Sequence, residues 1–228
     1  MLRIRLAGED AILHPSGTLL LSERRTLLVA DAHFGKAVSF RKLGVPVPAG
    51  TTSENLAKLE DAVAATGADH VVFLGDFLHS ARSHAAGTLR VLHAWRERHP
   101  ALRLTLVRGN HDDRAGDPPA SLGFAVVDEP LPLGPFALCH HPRPVEGAYV
   151  LAGHWHPCIS VKGRAFERLR LPCFWLGDDS GVLPRQAVGV LPAFGSFTGM
   201  HRIEPRAGDR IYPIAGDVVR ALPPLPVP

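Results

Sequence analysis

The chain has 228 residues, of which 46% are hydrophobic, and it carries a formal net charge of +3. A chain of this length and composition buries roughly 70% of its unfolded surface, which excludes an intrinsically disordered protein. No apolar run approaches the roughly 18 residues of a membrane helix, and Glu9 and Asp10 interrupt the N-terminal segment, so neither a membrane span nor a secretory signal is expected.

The first fifty residues predict a hairpin, a buried strand and a loop. Apolar residues at 2–6 and 18–22 flank a turn-forming run at 14–17, which predicts a lead-in hairpin within residues 1–25. Residues 26–30 predict a buried strand that ends at Asp31. The segment 36–50 is basic and then rich in proline and glycine, and it predicts a loop with a short helix.

Helices and buried strands then alternate. Thr51 and Glu54 have the spacing of a capping box, which predicts a helix that Gly67 ends. A strand at 70–74, a helix at 85–98 and a strand at 102–107 follow. Because long apolar strands alternate with helices, the pattern β-α-β-α-β predicts a parallel sheet.

Beyond Pro118-Pro119 the pattern changes to short strands with little sign of helix. The strands are predicted at 124–127, 136–139, 149–152, 158–162, 173–176 and 186–191. They predict a second sheet that packs on the first, so that residues 1–228 form a single domain. The proline-rich tail, 222–228, is expected to be extended.

The cysteines and arginines give weaker indications of location and partner. Three cysteines with no CxxC spacing argue against a disulfide framework and a thiolate zinc site, and they favour the reducing cytoplasm. Arginine far outnumbers lysine, which suits phosphate recognition, although a general compositional bias explains it equally well. Arg164, Arg168 and Arg170 are either a strip that faces DNA or part of a solvated hairpin.

Polar residues typical of metal ligands stand at the predicted strand ends. Asp31 and His33 are two residues apart, so both side chains point the same way in an extended segment. Ligands in open α/β sheets bind beyond the carboxyl ends of the strands, and the glycines at 75, 109 and 153 allow sharp turns there. The candidate ligands are Asp31, His33, Asp76, Asn110, His140, His154 and His156.

This set of side chains predicts two metal ions. Carboxylate, amide and imidazole ligands without a thiolate suit Mn, Fe or Zn better than Ca or Mg. Seven ligands are too many for one tetrahedral ion, but they fit two ions that share a carboxylate. Two such ions can activate a bridging water and stabilise both oxygens of an in-line displacement at phosphorus.

The motifs resemble those of the calcineurin-like metallophosphoesterase superfamily. They are DxH at 31–33, GD at 75–76, GNHD at 109–112, the strand-end His140 and GHxH at 153–156. The segments 28–36, 74–80, 139–142 and 152–157 more closely resemble the bacterial ligase-associated DNA-damage-response endonucleases. The resemblance implies an α/β fold, a four-layer α/β/β/α sandwich of two packed mixed sheets.

The resemblance also implies how the ligands are shared. One ion is expected at Asp31, His33 and His156, and the other at Asn110, His140 and His154, with Asp76 bridging them. Manganese is the expected metal, and iron or zinc are alternatives. His140 and His141 are adjacent, and strand alternation lets only one face the ions; His140 is expected because the family's ligand comes first after the strand.

Three further residues are expected to act on the substrate or near it. His111 matches the family's catalytic histidine, and an imidazole beside a ligand can act as a general acid near neutral pH. Asp112 either orients His111 by accepting its other N–H or serves as a helix N-cap. His79 either contacts the scissile phosphate or is a plain loop histidine. Trp155, between two ligands, is expected to pack beneath the site.

The predicted function is the hydrolysis of phosphodiesters by two divalent ions, most readily in DNA. A metal-bound hydroxide would attack phosphorus and His111 would protonate the leaving oxygen, and the family resemblance implies work beside a DNA ligase and a helicase in repair. A nucleotide phosphodiesterase or small-molecule phosphatase on the same centre is the main alternative. A non-catalytic scaffold is disfavoured because every ligand position and His111 are present. No membrane partner is predicted, and the sequence predicts no oligomeric state.

Overall fold

A computed structural model describes residues 1–48, 50–162, 168–179 and 187–223. The first strands are β1 (Leu2–Leu6), β2 (Glu9–Leu13), β3 (Leu19–Leu21), β4 (Thr26–Ala30), β5 (His70–Leu74), β6 (Arg103–Val107) and β7 (Phe124–Val127). The helices are α1 (Lys36–Lys42), α2 (Thr51–Thr66), α3 (Ala86–Arg98) and α4 (Asp112–Ala115). The later strands are β8 (Leu131–Leu133), β9 (Phe136–Leu138), β10 (Tyr149–Ala152), β11 (Pro157–Lys162), β12 (Arg168–Leu176), β13 (Val188–Val190), β14 (His201–Arg202), β15 (Arg210–Ala215) and β16 (Val218–Val219).

The first sheet contains β1 to β7 in chain order. Its first four strands are antiparallel, and β4 to β7 are parallel, as the alternating pattern predicted. Ala30, Leu74 and Val107 lie side by side in the register of β4, β5 and β6. The chain therefore leaves these three strands at the same level, and the polar residues that follow them meet at one edge.

The second sheet is also mixed, with the order β14-β11-β12-β13-β10-β9-β8, and β15 pairs with β12 outside this path. Strands β9 and β10 are parallel, with Leu138 beside Leu151. His140 and His154 follow these two strands, so they leave the second sheet at one end. The prediction of two mixed sheets is confirmed.

Two apolar layers hold the sheets and helices together. Leu59, Phe73 and Trp95 belong to the core between the first sheet and helices α2 and α3. Leu74 and Phe174 belong to the core between the two sheets. Within the described ranges every helix precedes residue 123, and the predicted α/β fold of two packed mixed sheets is confirmed.

The N-terminal prediction is wrong in one respect. Residues 2–6 pair with β2 and not with the strand near residue 20, so three strands form a meander where a two-strand hairpin was expected. Glu9 and Asp10 concealed β2, because their charges break its apolar alternation. Glu9 is nevertheless buried, since Arg24 lies 2.6 Å from its carboxylate.

The predicted capping box is also wrong. Helix α2 begins at Thr51 with Gly50 as its N-cap, and no side chain caps it. Gly67 ends this helix in the left-handed conformation, as predicted. Further differences are strands β8, β14, β15 and β16, which short or proline-interrupted runs did not reveal.

The expectations for the cysteines and for membrane helices can be compared with the described residues, whereas parts of two predicted segments lie outside them. All three cysteines are free and buried, which agrees with the absence of a disulfide framework. Among the described residues, no helix is both long enough and apolar enough to span a membrane. Residue 186 of the predicted strand 186–191 and residues 224–228 of the predicted tail lie outside the described residues.

Candidate metal centre

The seven predicted ligands come together where the two sheets meet. The first sheet brings Asp31 after β4, Asp76 after β5 and Asn110 after β6. The second sheet brings His140 after β9 and His154 after β10. Each sheet thus contributes part of the site, and the site can form only when the two sheets pack.

One group of ligands surrounds Asp31. The Nε2 atom of His156 lies 3.3 Å from the Oδ1 atom of Asp31, and the rings of His33 and His156 are 5.7 Å apart. These three side chains have donor atoms close enough together to hold one ion. The Nε2 atom of His33 lies 3.7 Å from Oδ2 of Asp76, which adds a fourth donor at this position.

A second group surrounds His140, whose side chain is fully buried. Its Nε2 atom lies 2.9 Å from Oδ1 of Asn110 and 3.0 Å from Nδ1 of His154. The same atom lies 3.5 Å from Oδ1 of Asp76. The two oxygens of Asp76 therefore face different ligand groups, which is the arrangement that a bridging carboxylate needs.

The donor atoms fit divalent metal ions. Among the described residues, Oδ1 of Asp31 and Nε2 of His156 are buried and have no hydrogen-bond partner, although such atoms are costly to leave unpaired. Burial lowers the pKa of His33 and of His154, so both rings are neutral at pH 7, as imidazole ligands must be. Neutral imidazoles and carboxylates with no thiolate suit Mn, Fe or Zn.

The backbone at the ligands is strained. Five of the seven predicted ligands have a positive φ, a conformation uncommon in residues other than glycine. They are Asp31 (53°), His33 (46°), Asp76 (53°), His154 (70°) and His156 (47°). Asp31 and His33 are therefore not in the extended segment that their spacing predicted, although their donor atoms still come together with His156.

Glycine is required beside the ligands, mainly for space. A Cβ atom on Gly109 would lie 2.6 Å from Oδ1 of Asp76, and one on Gly153 would lie 2.6 Å from Oδ2 of Asp31. Neither glycine has a positive φ, so the sharp turns expected at these two positions are not the reason for them. Gly109 lets the end of β6 approach Asp76 after the neighbouring β5, and Gly153 lets the end of β10 approach Asp31 of the other sheet.

His111 and His79 form a stacked pair beside the ligands. Their rings are 5.1 Å apart with an interplanar angle of 22°, and the backbone N–H of His111 donates to Oδ1 of Asp76. The Nδ1 atom of His111 lies 2.8 Å from the carbonyl oxygen of His79, to which it can only donate. Nε2 is therefore the nitrogen of His111 that is left to exchange a proton, and it lies 3.9 Å from Oδ2 of Asp76. Burial lowers the pKa of His79 to about 4, so its ring is neutral.

Asp112 has neither of its two expected roles. Its Oδ2 atom accepts hydrogen bonds from the N–H groups of Asp76 and Gly109, and Oδ1 accepts from Phe77 and Leu78. Helix α4 has His111 as its N-cap, and Asp112 is its first residue. The expectation that Asp112 orients His111 is wrong, because both oxygens are used to fix the loop that carries Asp76.

Glu129 was missed by sequence reasoning. Its carboxylate accepts hydrogen bonds from the N–H groups of His140 and His141 and lies 2.8 Å from Nδ1 of His141. Burial alone would raise the pKa of Glu129, but these hydrogen bonds outweigh it and the pKa is lowered. Glu129 holds both histidines in place, and nothing local in the sequence marks a partner 11 residues away.

His140 and His141 differ in their surroundings. His140 contacts Asn110 and Asp76, whereas the ring of His141 faces that of His154 at 4.7 Å and is bound by Glu129. This arrangement supports His140 as the ligand. Strand alternation predicted that the side chain of His141 points away from the ions. Instead it lies at the edge of the site, against His154.

Lys36 adds a positive charge next to the ligands. It is the first residue of α1, directly after Gly35, and burial lowers its pKa while Asp31 and Asp76 act in the opposite direction. A lysine at this position can attract a phosphate group. Its place just after the DxH motif was the signal that could have identified it.

Trp155 does not pack beneath the ligands. Its side chain is 42% exposed, so the expected position is wrong. Arg168 and Arg170 are exposed on β12, which pairs with β11. Arg164 lies outside the described residues, and whether these arginines face DNA stays a prediction.

Comparisons with known proteins agree with this geometry. The calcineurin-like phosphoesterase family matches residues 24–142, which is more than half of the chain. The crystal structure of the Pseudomonas putida nuclease MPE matches with a TM-score of 0.83 and 42% identity, over 97% of this chain and 99% of that one. The chain belongs to the calcineurin-like phosphoesterase family. As a calcineurin-like phosphoesterase, it is a metal-dependent hydrolase of phosphoester bonds, as the motifs predicted.

Two other comparisons give no further information about this calcineurin-like phosphoesterase. The protein of unknown function AQ665 from Aquifex aeolicus has a TM-score of 0.39 and 19% identity over 57% of this chain and 78% of its own. That likeness is too distant to carry an argument. A comparison with curated proteins gives no match.

Proposed function

We propose that this calcineurin-like phosphoesterase is a nuclease that hydrolyses phosphodiester bonds of DNA with two divalent ions. The observation that carries the proposal is the Asp76 carboxylate, whose oxygens lie 3.7 Å and 3.5 Å from His33 and His140 in different ligand groups. Identity of 42% with a Pseudomonas putida nuclease, across almost the full length of both chains, supports a nucleic acid as the substrate.

The proposed ligands are those that the motifs predicted. Asp31, His33 and His156 would hold one ion, and Asn110, His140 and His154 the other, with Asp76 shared. We propose manganese, because mixed carboxylate, amide and imidazole donors suit it. When bound, the two ions supply the charge that activates water and stabilises the phosphate during an in-line displacement.

The protein's own residues orient the reaction. His111 places Nε2 toward the centre because the carbonyl of His79 accepts from Nδ1, so Nε2 is the atom that can give a proton to the leaving oxygen. The neutral ring of His79 stacks on His111 and limits its rotation. Asp112 fixes the loop that carries Asp76, and Lys36 adds charge that would attract the phosphate.

The biological setting is proposed from the resemblance of segments 28–36 and 74–80 to the ligase-associated endonucleases. We propose a cytoplasmic enzyme of DNA repair that works beside a DNA ligase and a helicase. Three buried, free cysteines suit a reducing compartment.

The proposal is tested by offering the Mn²⁺-loaded protein four substrates side by side: plasmid, single-stranded DNA, bis(p-nitrophenyl) phosphate and p-nitrophenyl phosphate. We expect all three phosphodiesters to be cleaved, and cleavage of DNA to weaken steeply between roughly 50 and 200 mM salt. Asp76→Asn is the inactive control. Turnover of the monoester alone would refute the nuclease, and a salt-independent rate on bis(p-nitrophenyl) phosphate alone would favour a phosphodiesterase of small molecules or nucleotides.

A further inference from the structure

A rigid, exposed aromatic surface lies next to the candidate metal centre. Trp155 stands between His154 and His156 in the chain, and its side chain is 42% exposed. Its ring packs on that of Trp175 at 5.6 Å with an angle of 33°. The indole N–H of Trp175 donates to Asp209 at 2.7 Å, which fixes the ring of Trp175. Trp155 thus presents a supported face to solvent.

Trp155 lies between two cavities. The larger, about 830 Å³, is lined by His154, Trp155 and His156 together with Met200, Arg202 and Arg206. The smaller, about 200 Å³, is lined by Trp155, Trp175, Arg206 and the prolines 142 and 144 that follow His141. The larger cavity therefore leads from the metal ligands directly onto the tryptophan.

The chemistry of this surface suits a nucleobase. An exposed indole costs free energy in water, so a fixed one beside a phosphodiester site is a candidate for contact with substrate. Base stacking on aromatic rings recurs in proteins that bind single strands, together with cationic side chains that follow the backbone. Arg202 and Arg206 are exposed at the cavity, where Glu204 is the acidic residue that also lines it.

We propose that Trp155 stacks on an unpaired nucleobase of the nucleotide next to the scissile phosphate, while Arg202 and Arg206 neutralise the phosphates beyond it. The site would take single-stranded or locally opened nucleic acid, because a paired base has both faces covered by its neighbours. This inference rests on the proposed nuclease function and adds a specific binding subsite to it.

The test uses a labelled single-stranded oligonucleotide and a set of copies in which one abasic nucleotide is moved across the cleaved bond. For the wild-type protein with Mn²⁺, we expect one abasic position next to that bond to lower kcat/KM by about fivefold to 150-fold, the effect of losing one stacked base. Trp155→Ala should show the same loss on the intact strand and no further loss at that abasic position. Trp155→Phe should restore most of the discrimination.

A matched control removes another exposed apolar side chain. Leu169 is 60% exposed on β12, six residues and so about 20 Å along the strand from Trp175. Leu169→Ala should discriminate between intact and abasic strands as the wild type does. If Trp155→Ala weakens cleavage of intact and abasic strands equally, the ring merely supports the two ligands and the proposal is wrong.

Binding separates this inference from the proposed function. The affinity for intact and abasic strands is measured by fluorescence anisotropy in EDTA, where no hydrolysis occurs. A preference for the intact strand that disappears in Trp155→Ala, without any cleavage by the Mn²⁺-loaded wild type, would keep the subsite and refute the nuclease. Cleavage of DNA with no effect of Trp155→Ala on either measurement would refute the subsite and keep the nuclease.

Discussion

The carbonyl oxygen of His79 positions the ring of His111, although a carboxylate was expected to do so. Nδ1 of His111 donates to this carbonyl, whereas both carboxylate oxygens of the nearby Asp112 accept hydrogen bonds from backbone N–H groups. A neutral carbonyl orients the imidazole without placing another negative charge among the ligands. Nε2, the nitrogen left to exchange a proton with substrate, thereby faces Asp76.

The role of His111 predicts an effect that depends on the leaving group. His111→Ala should lower kcat on DNA by about 100-fold to 10,000-fold, the range for loss of a general acid, because an alkoxide needs a proton to leave. The loss on bis(p-nitrophenyl) phosphate should be much smaller, since nitrophenolate leaves unprotonated. Steady-state kinetics on both substrates, with bound metal measured, checks this.

His93→Ala serves as a control for the loss of a histidine, because His93 lies on α3 with Ser121 as its partner at 3.4 Å. It should leave both rates unchanged. An equal loss on both substrates in His111→Ala, with metal still bound, would mean that His111 does not donate the proton.

The close approach at Gly109 predicts a loss of metal. A Cβ atom in Gly109→Ala would lie 2.6 Å from Oδ1 of Asp76 and 2.9 Å from Cγ of His140, so both ligands must move. We expect the variant to fold but to bind less than two ions per chain, with activity reduced in parallel. Metal analysis after gel filtration measures this. Gly87→Ala, with open space around its Cβ, should bind metal as the wild type does, and equal metal content in both variants would contradict the argument.

At the residue scale, the sequence predicted which side chains meet but not how each is held. Asp31 and His33 could be paired by spacing, and the structure places them together. The partners of Asp112 depend on the path of residues 76–78, and the contact of Glu129 with His141 crosses 12 positions. Such partners follow from the folded chain, so local patterns do not reveal them.

Helix α2 holds the segment 194–196, which in turn contacts the backbone of Asp31. Lys58 donates to the carbonyl of Phe194 at 2.6 Å and lies 3.9 Å from the centre of that ring, and Asn55 accepts from Ser196. The N–H of Gly195 in turn donates to the carbonyl of Asp31. The partly buried ammonium group of Lys58 is therefore linked through residues 194–195 to Asp31.

Burial of Lys58 predicts a stability that depends on pH. Burial lowers its pKa from 10.5 to about 8, so folding with a charged Lys58 carries a cost on the order of 3 kcal/mol below pH 8. Between about pH 8 and 10.5 the folded chain releases this proton while the unfolded chain keeps it. The wild type should therefore gain about 3 kcal/mol of unfolding free energy relative to Lys58→Met as the pH rises from 7 to 10.5.

Urea titrations at several pH values measure the difference between the two proteins. Arg98→Met, which removes an exposed cation from α3, is the control, and its difference from wild type should stay constant over this range. A constant difference for Lys58→Met as well would show that the folded chain does not lower the pKa of Lys58.

At the scale of elements, apolar runs predicted β4 and β5 to the residue, because β4 is buried throughout and β5 is buried after its first residue. Strand β2 was missed since its charged residues interrupt the alternation, and the ion pair of Glu9 with Arg24 becomes visible only in the fold. The beginning of α2 was misjudged because Thr51 and Glu54 imitate a cap that the helix does not use. Periodicity therefore predicted buried strands better than helix ends.

Considered as a whole, the molecule divides its ligands between two sheets. Asp31, Asp76 and Asn110 follow strands of the first sheet, and His140 and His154 follow strands of the second. A bound pair of ions would connect the sheets across their apolar interface. The strand pattern predicted both sheets, whereas β15, which places Ile211 beside Trp175 in the second sheet, was not predicted.

This connection predicts that metal removal lowers the stability of the entire fold. An ion present at 100 times its Kd adds about 2.7 kcal/mol, so EDTA should lower Tm by about 5 to 10 °C for each ion lost. Calorimetry of the Mn²⁺-loaded and EDTA-treated protein measures the shift. In Asp76→Asn the shift should be mostly absent, and an equally large shift in that variant would place the stabilising ions elsewhere.

The left-handed backbone at five ligand positions implies a trade-off between thermal stability and catalysis. Each of these residues holds an angle that glycine adopts freely, and strain of this kind costs on the order of 1–3 kcal/mol per residue. Replacement of His154 or His156 by glycine would remove the strain together with the ligand. A library of variants selected only for survival at high temperature in the absence of metal should therefore accumulate glycine at these positions, and the most durable proteins it yields should be the inactive ones.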